Sequence, residues 1–384
     1  MLKALPKLTR EVLCLAVVSF GVSLPAQVEF EASSSIKPFG LNTKARILAK
    51  PSLDGSILHA PLSTTSPYFQ ADATPGGKVA RFLTPAESFN KKRFWIGSGT
   101  GAAIYGGFAV GLWEAWYKDY PIGGFRLKDD RGEWLDMDKF GHSYTAYHYA
   151  RWGFQGSRWA GLERRQALLM GAGISTLLQS TVEVMDGFSK QWGFSWWDMG
   201  ANASGVALFA AQELAWKEQR VRMKMSSYNP GYSTEPMFAR NKTSGPTSSV
   251  AFRAEQLYGD SPWQRFIKDY NGQTIWLSAN PAVLFGRETK TPWLMVSAGY
   301  SVDNVVGAFG NVWRDNGGLV YRLDDVAFPR RREYVLSIDI DFERIPAKHP
   351  ALKTFLHLIN HMKIPAPAVL FSDGNSPAVR WLYY

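Results

Sequence analysis

An α+β fold, with a small bundle of about four helices followed by a strand-rich C-terminal domain, is the class this 384-residue sequence predicts. Three observations carry the prediction. Apolar residues recur at helical spacing through roughly 137–153, 162–185 and 196–224, after a charge-free stretch at 94–113. The composition then changes after Met225, where "SSYNPGYSTEPMFARNKTSGPTSS" is rich in turn formers. Beyond it, side chains alternate with period two. In 334–342, Tyr334, Leu336, Ile338, Ile340 and Phe342 share one face, while Val335, Ser337, Asp339 and Asp341 share the other.

Taken in chain order, residues 1–26 read as a secretory signal. Lys3, Lys7 and Arg10 form a basic start, 12–22 is apolar but too short to span a bilayer, and Ala26 is a small residue for cleavage. Cys14 is the single cysteine. It lies within that apolar run and lacks the small neighbours of a lipid-acceptor cysteine, so the mature chain is expected to carry no thiol, disulfide or cysteine metal site. Loss of Lys3, Lys7, Arg10 and Glu11 with the signal takes the formal charge from +10 to +8. Export excludes nucleic acid as a partner. The basic charge, with 15 Trp and 16 Tyr, points instead to a membrane surface or envelope lipids.

Residues 27–90 form a Ser/Thr/Pro-rich leader, expected to be irregular apart from a short strand near 45–49. The helical bundle is placed at 91–225. Its first stretch, 94–113, has the length of a transmembrane helix or of a buried core helix. Gly107 and Gly111 there have the spacing that favours close helix contact. The later apolar cores are shorter and suit helices that are buried or that lean on a membrane. A linker at 226–261 leads to the strand-rich domain at 262–384. Strands are expected at 274–278, 293–300 and 334–342, with turns at Asn271-Gly272 and at Asn316, Gly317 and Gly318, and one helix near 350–362. These strands are too few to close a transmembrane barrel.

A polar stripe crosses the bundle. Residues at i, i+4 and i+7 of a helix share one face. Asp138, His142 and Thr145 have that spacing, as do Gln179, Glu183 and Asp186, and again Asp198, Asn202 and Gly205. Facing one another, they bring carboxylates, an imidazole and amides into a common interior, with Gly205 allowing close backbone approach. Lys139 and Lys190 are placed to neutralise carboxylates. Ser195 with Asp198 fits a capping box, which accounts for both without any chemistry. Two functional patterns fit the same residues. His142, Glu183, Asp186 and Asp198 form a mixed nitrogen/oxygen ligand set for a divalent metal. His142 with Glu183 or Asp186 has the composition of a general-base pair. No catalytic motif with a fixed spacing is present.

The motifs "DKFGH" (Asp138, Lys139, His142), a later helix with Glu183, and "SWWDMGANASG" (Ser195, Asp198, Asn202, Gly205) resemble the YfiM-like family of predicted periplasmic lipoproteins, a domain family of unknown function. Their order is also similar to that of VanZ-like membrane proteins, which carry an Arg between the Glu and the Ser where this chain has only Lys190. Over roughly 92–384 the chain resembles the longer, strand-tailed form found in Bacteroidota. The resemblance implies a helical fold and an envelope location, in the periplasm or at the outer membrane of a Gram-negative bacterium, and implies no activity. The expectation is a membrane-associated structural or accessory factor with a buried polar network, needing no cofactor, with an envelope protein as a further partner. The alternative is a metal-dependent or general-base hydrolase or transferase acting on an envelope lipid or glycan.

Overall fold

The computed structural model describes residues 77–384 except Asp119, Tyr120 and Asn316. The expected signal, the strand near 45–49 and Asn316 of the expected turn lie outside the described residues. The last part of the leader is not irregular: Gly77–Leu83 forms helix α1. Asn90 then caps α2 (Lys91–Leu112), its side chain accepting from the Arg93 amide, and a short π-helical turn, Trp113–Tyr117, follows.

The bundle proper is α3 (Met137–Trp159), α4 (Arg164–Phe188) and α5 (Trp196–Ala215). Glycines set how closely these helices cross. A Cβ on Gly171 would lie 2.3 Å from the Ala150 carbonyl oxygen, and one on Gly153 would lie 2.9 Å from the Gly171 Cα. Gly205 makes the corresponding approach between α5 and α3, where a Cβ would lie 2.1 Å from the Ser143 oxygen, as the stripe requires. The expected contact through Gly107 and Gly111 is not made; both face open space. Among the described residues the helix long and apolar enough to cross a membrane, by length and composition, is α4 rather than the 94–113 stretch.

α3 begins from an unusual turn. Gly132, Trp134, Leu135 and Asp136 all have positive φ, which costs about 1–2 kcal/mol per non-glycine residue. Contacts with the sheet domain hold it. The Trp134 amide donates to Ala308 O at 2.7 Å, the Tyr300 hydroxyl donates to Leu135 O, and Arg332 pairs with Asp136 at 3.3 Å.

α5 ends at Ala215, not near 224, because Gln212 turns the chain. Its Oε1 accepts from the Arg220 and Val221 amides at 2.9 and 2.7 Å. Residues Val221–Ser227 then form strand β1, whose alternation of Val221, Met223 and Met225 has the strand period of two. The segment expected as a linker contains the short pair β2 (Met237–Phe238) and β3 (Thr247–Ser248), then α6 (Val250–Tyr258). Next come α7 (Pro262–Lys268), β4 (Gln273–Ala279), the short α8 (Pro281–Leu284) and β5 (Leu294–Asp303). A hairpin of β6 (Val312–Arg314) and β7 (Val320–Arg322) precedes β8 (Arg331–Ile340). The chain finishes with α9 (Pro350–Ile359), β9 (Ala366–Ser372) and β10 (Ala378–Tyr383).

β1, β4, β5, β8, β9 and β10 form one antiparallel sheet in that order. The outer edge of β1 is covered by residues 361–363: the Met225 amide donates to His361 O and the Lys363 amide donates to Met225 O. The helices and the sheet share one core, in which Met137, Tyr147, Phe154 and Phe209 pack with Met223, Ile275, Tyr300 and Val302.

Away from that core the sheet's polarity is inverted. Its interior face carries Arg222, Lys224, Ser226, Ser278, Ser297, Ser301, Ser337 and Asp339, all buried, around Trp276 and Val335. The buried charges are paired: Lys224 meets Asp339 at 3.1 Å and Arg222 meets Asp341 at 3.2 Å. The other face, which packs against the helices through Met223, Ile275, Tyr300 and Val302, beyond them exposes Leu277, Leu294, Val296, Tyr334, Leu336, Ile338, Phe371 and Val379. The cross-strand register places Val296 opposite Ile338 and Tyr334 opposite Phe371, so this apolar surface is continuous.

Candidate functional site

The polar stripe converges at one end of the α3–α4–α5 bundle. Lys139, on the first turn of α3, is the hub of one half. Its ammonium pairs with Asp130, with Asp138 at 2.8 Å and with Asp198 at 2.7 Å. His142, one turn further along, centres the other half. Its Nδ1 lies 3.1 Å from Asn202 Oδ1 and 3.7 Å from Glu183 Oε1, and its Nε2 lies 3.8 Å from Asp198 Oδ1. Gln179 completes the tie between helices, donating to Asn202 Oδ1, to Thr145 Oγ1 at 2.9 Å and to His142 O at 3.2 Å. Polar side chains thus join three helices through the interior of the bundle.

Ser195 caps α5, its Oγ accepting from the Trp197 and Asp198 amides at 3.1 and 3.0 Å. The expected capping box is not closed, however. The Ser195 amide donates to Glu183 Oε2 at 3.3 Å rather than to Asp198, and the Ser195 hydroxyl donates to Asp130 at 2.6 Å. Asp198 is therefore released from helix capping and turned towards Lys139 and His142. Asp186 sits at the margin, accepting from the Tyr117 hydroxyl at 2.6 Å. Lys190 does not join the cluster; its chain lies against Gly123, and among the described residues no ion pair to it is formed.

Two members escape the sequence pattern. Asp130 and Tyr117 lie in segments outside the three helical stripes, so helical spacing does not reach them. The acid-rich run "KDDRGEWLDMDK" before α3 is the signal that points to Asp130.

Five carboxylates, Asp130, Asp138, Glu183, Asp186 and Asp198, meet Lys139 and His142 in this space, with Lys128 acting on Asp186 from farther out. The electrostatics follow from that imbalance. Burial, reinforced by the charges of Asp198 and Asp186, pushes Glu183 up to about 9. Burial likewise raises Asp138 to about 7 and Asp186 to about 6, and raises Asp198. Asp130 moves down: burial opposes its charge, but Lys139 and Ser195 outweigh it. Glu183 is wholly buried, and its Oε1 has no hydrogen-bond partner; neither has Asn202 Nδ2.

Fold and site together define an α+β protein whose helical half is organised around a buried, acid-rich cluster. Residues 128–213 match the family described as "Predicted periplasmic lipoprotein (DUF2279)". That stretch contains every member of the cluster except Tyr117, and the description supports an exported, periplasmic protein of the cell envelope, as the sequence predicts. No curated protein and no solved structure matches the chain.

Proposed function

We propose that the protein is a membrane-associated structural or accessory factor of the cell envelope, in which the polar cluster clamps three helices in register. The observation that supports this best is the inverted sheet: small polar and paired charged residues inside, and a continuous apolar surface outside. In water the opposite arrangement is favoured, whereas against hydrocarbon this one is. The helices follow the same rule. Trp95, Ile96 and Val110 of α2, Leu169, Leu177 and Val184 of α4, and Trp196 and Trp197 of α5 are exposed, while the acids Glu183, Asp198 and Glu213 of α4 and α5 are buried. The protein then lies against a bilayer, with its tryptophans at the lipid–water boundary.

The test is co-flotation of the purified full chain with lipid vesicles. The chain is expected to rise with the vesicles. The paired substitution Leu336→Lys and Ile338→Lys, on the exposed sheet face, is expected to lower the bound fraction while leaving the melting temperature within a few degrees. A chain that stays in the dense fraction with neutral and anionic vesicles alike would rule the reading out.

A second reading, a metal-dependent or general-base hydrolase or transferase acting on an envelope lipid or glycan, is favoured by one observation. Glu183 presents an unpartnered, high-pKa carboxyl 3.7 Å from an imidazole. Retention of every cellular function by His142→Ala would exclude it.

A further inference from the structure

We infer that His142, Glu183 and Asp198 form a binding site for one divalent transition-metal ion. One ligand atom from each residue lies within 4.8 Å of the others, and each residue comes from a different helix of the bundle. That spread lets a single ion of ordinary nitrogen and oxygen bond lengths reach all three with small side-chain adjustments.

Three features beyond proximity point to an ion. Glu183 is wholly buried, and its Oε1 has no hydrogen-bond partner, although its other oxygen is taken by the Ser195 amide. A buried carboxyl oxygen left without a partner is costly, and a bound cation would satisfy it with release of the carboxyl proton. The charge is also unbalanced on this side of the cluster. Lys139 is already shared among Asp130, Asp138 and Asp198, which leaves Glu183 without an ammonium partner. Finally, the imidazole is oriented. Asn202 Oδ1 lies 3.1 Å from His142 Nδ1 and is itself held by Gln179, so Nδ1–H donates to it. The Nε2 lone pair is then free on the side facing Asp198, as a ligating histidine requires.

One imidazole nitrogen with two carboxylate oxygens suits zinc, manganese or ferrous iron, and disfavours the all-oxygen ions calcium and magnesium. The inference deepens the helix-clamp reading and rests on it, since the ion would complete the same tie between α3, α4 and α5. It does not depend on lipid: flotation tests one and ion binding the other.

The experiment strips the purified full chain with a chelator, then titrates it separately with zinc chloride and manganese chloride by calorimetry, with elemental analysis after desalting. One ion per chain is expected for at least one of the two metals. Glu183→Gln and His142→Gln are expected to lose that ion while keeping the helical circular dichroism of the metal-free chain and a cooperative melt. Glu183→Gln preserves size and the Ser195 contact, so loss of binding there does not reflect a collapsed bundle. Absence of both ions from the folded wild-type chain, or unchanged stoichiometry in both variants, overturns the proposal. Should Glu183→Gln not fold, the wild-type titration and His142→Gln decide it.

Discussion

His361 shows what a single buried residue contributes. It lies beside β1, accepting from the Trp152 indole N–H through Nε2 at 2.7 Å and donating through Nδ1 to Leu358 O at 2.9 Å. This arrangement accommodates only the neutral ring, and burial, with Arg151 and His357 adding positive charge, lowers its pKa to about 3. His148, whose ring lies 4.5 Å away, is also lowered, by burial first. Between pH values of about 3 and 6.5 this ring is protonated in the unfolded chain and neutral in the folded one, so the ring's own contribution to stability falls as pH falls. The raised acids Glu183, Asp138 and Asp186 act in the opposite direction. A tenfold difference in proton affinity between the two states is worth about 1.4 kcal/mol. His361→Gln is therefore expected to change the slope of melting temperature against pH in that window, making the variant more stable relative to wild type at the acid end than at neutral pH, with His148 contributing alike in both chains. A slope identical to wild type would show that the ring is already charged in the fold. The polar stripe is more legible in the sequence than these histidines, because three helices repeat one spacing. The role of Ser195 as a cap is legible too, but the competition that sends its amide to Glu183 depends on a neighbouring helix and has no local signature.

Helix crossings illustrate the next scale. Glycine pairs at four-residue spacing suggest that α2 packs closely through Gly107 and Gly111, yet the close crossing runs through Gly153 and Gly171. Spacing alone does not reveal which glycine has a partner. Gly171→Ala is expected to destabilise by about 1–3 kcal/mol through overpacking. Gly107→Ala, facing open space in a helix, is expected to stabilise by roughly 0.5–1 kcal/mol. Thermal melts of the two variants check both signs. The strand period in β8 is equally readable, but not its direction. Alternation tells which residues share a face, and only the neighbouring strands show that the face carrying Leu336 and Ile338 is the outer one. β1 reads in the sequence as the end of a helix because α5 runs almost into it, and its change of period spans only three apolar residues.

Across the whole molecule, the division into a helical part and a strand-rich part is visible in composition, whereas their union is not. Met137, Tyr147, Phe154 and Phe209 of the helices are buried against Met223, Ile275, Tyr300 and Val302, which come from β1, β4 and β5. The left-handed turn before α3 is likewise held by Ala308, Tyr300 and Arg332 of the second half. Heat unfolding of the full chain is therefore expected to be a single cooperative transition reported alike by helical and aromatic signals. Residues 128–213 alone, although they match a family model, are expected to show no cooperative melt, since the core partners supplied by the sheet are missing. Two resolved transitions in the full chain would show the halves to be independent.

The cover over β1 has a directional consequence. A sheet can recruit further chain only where backbone donors and acceptors are left open. Residues 361–363 occupy the Met225 position of the β1 edge, while β10, at the opposite margin, is paired among the described residues on one side only, with β9. Extension of this sheet, by a folding helper or by an erroneous second copy, would therefore begin more readily beside Ala378–Tyr383 than beside Met225.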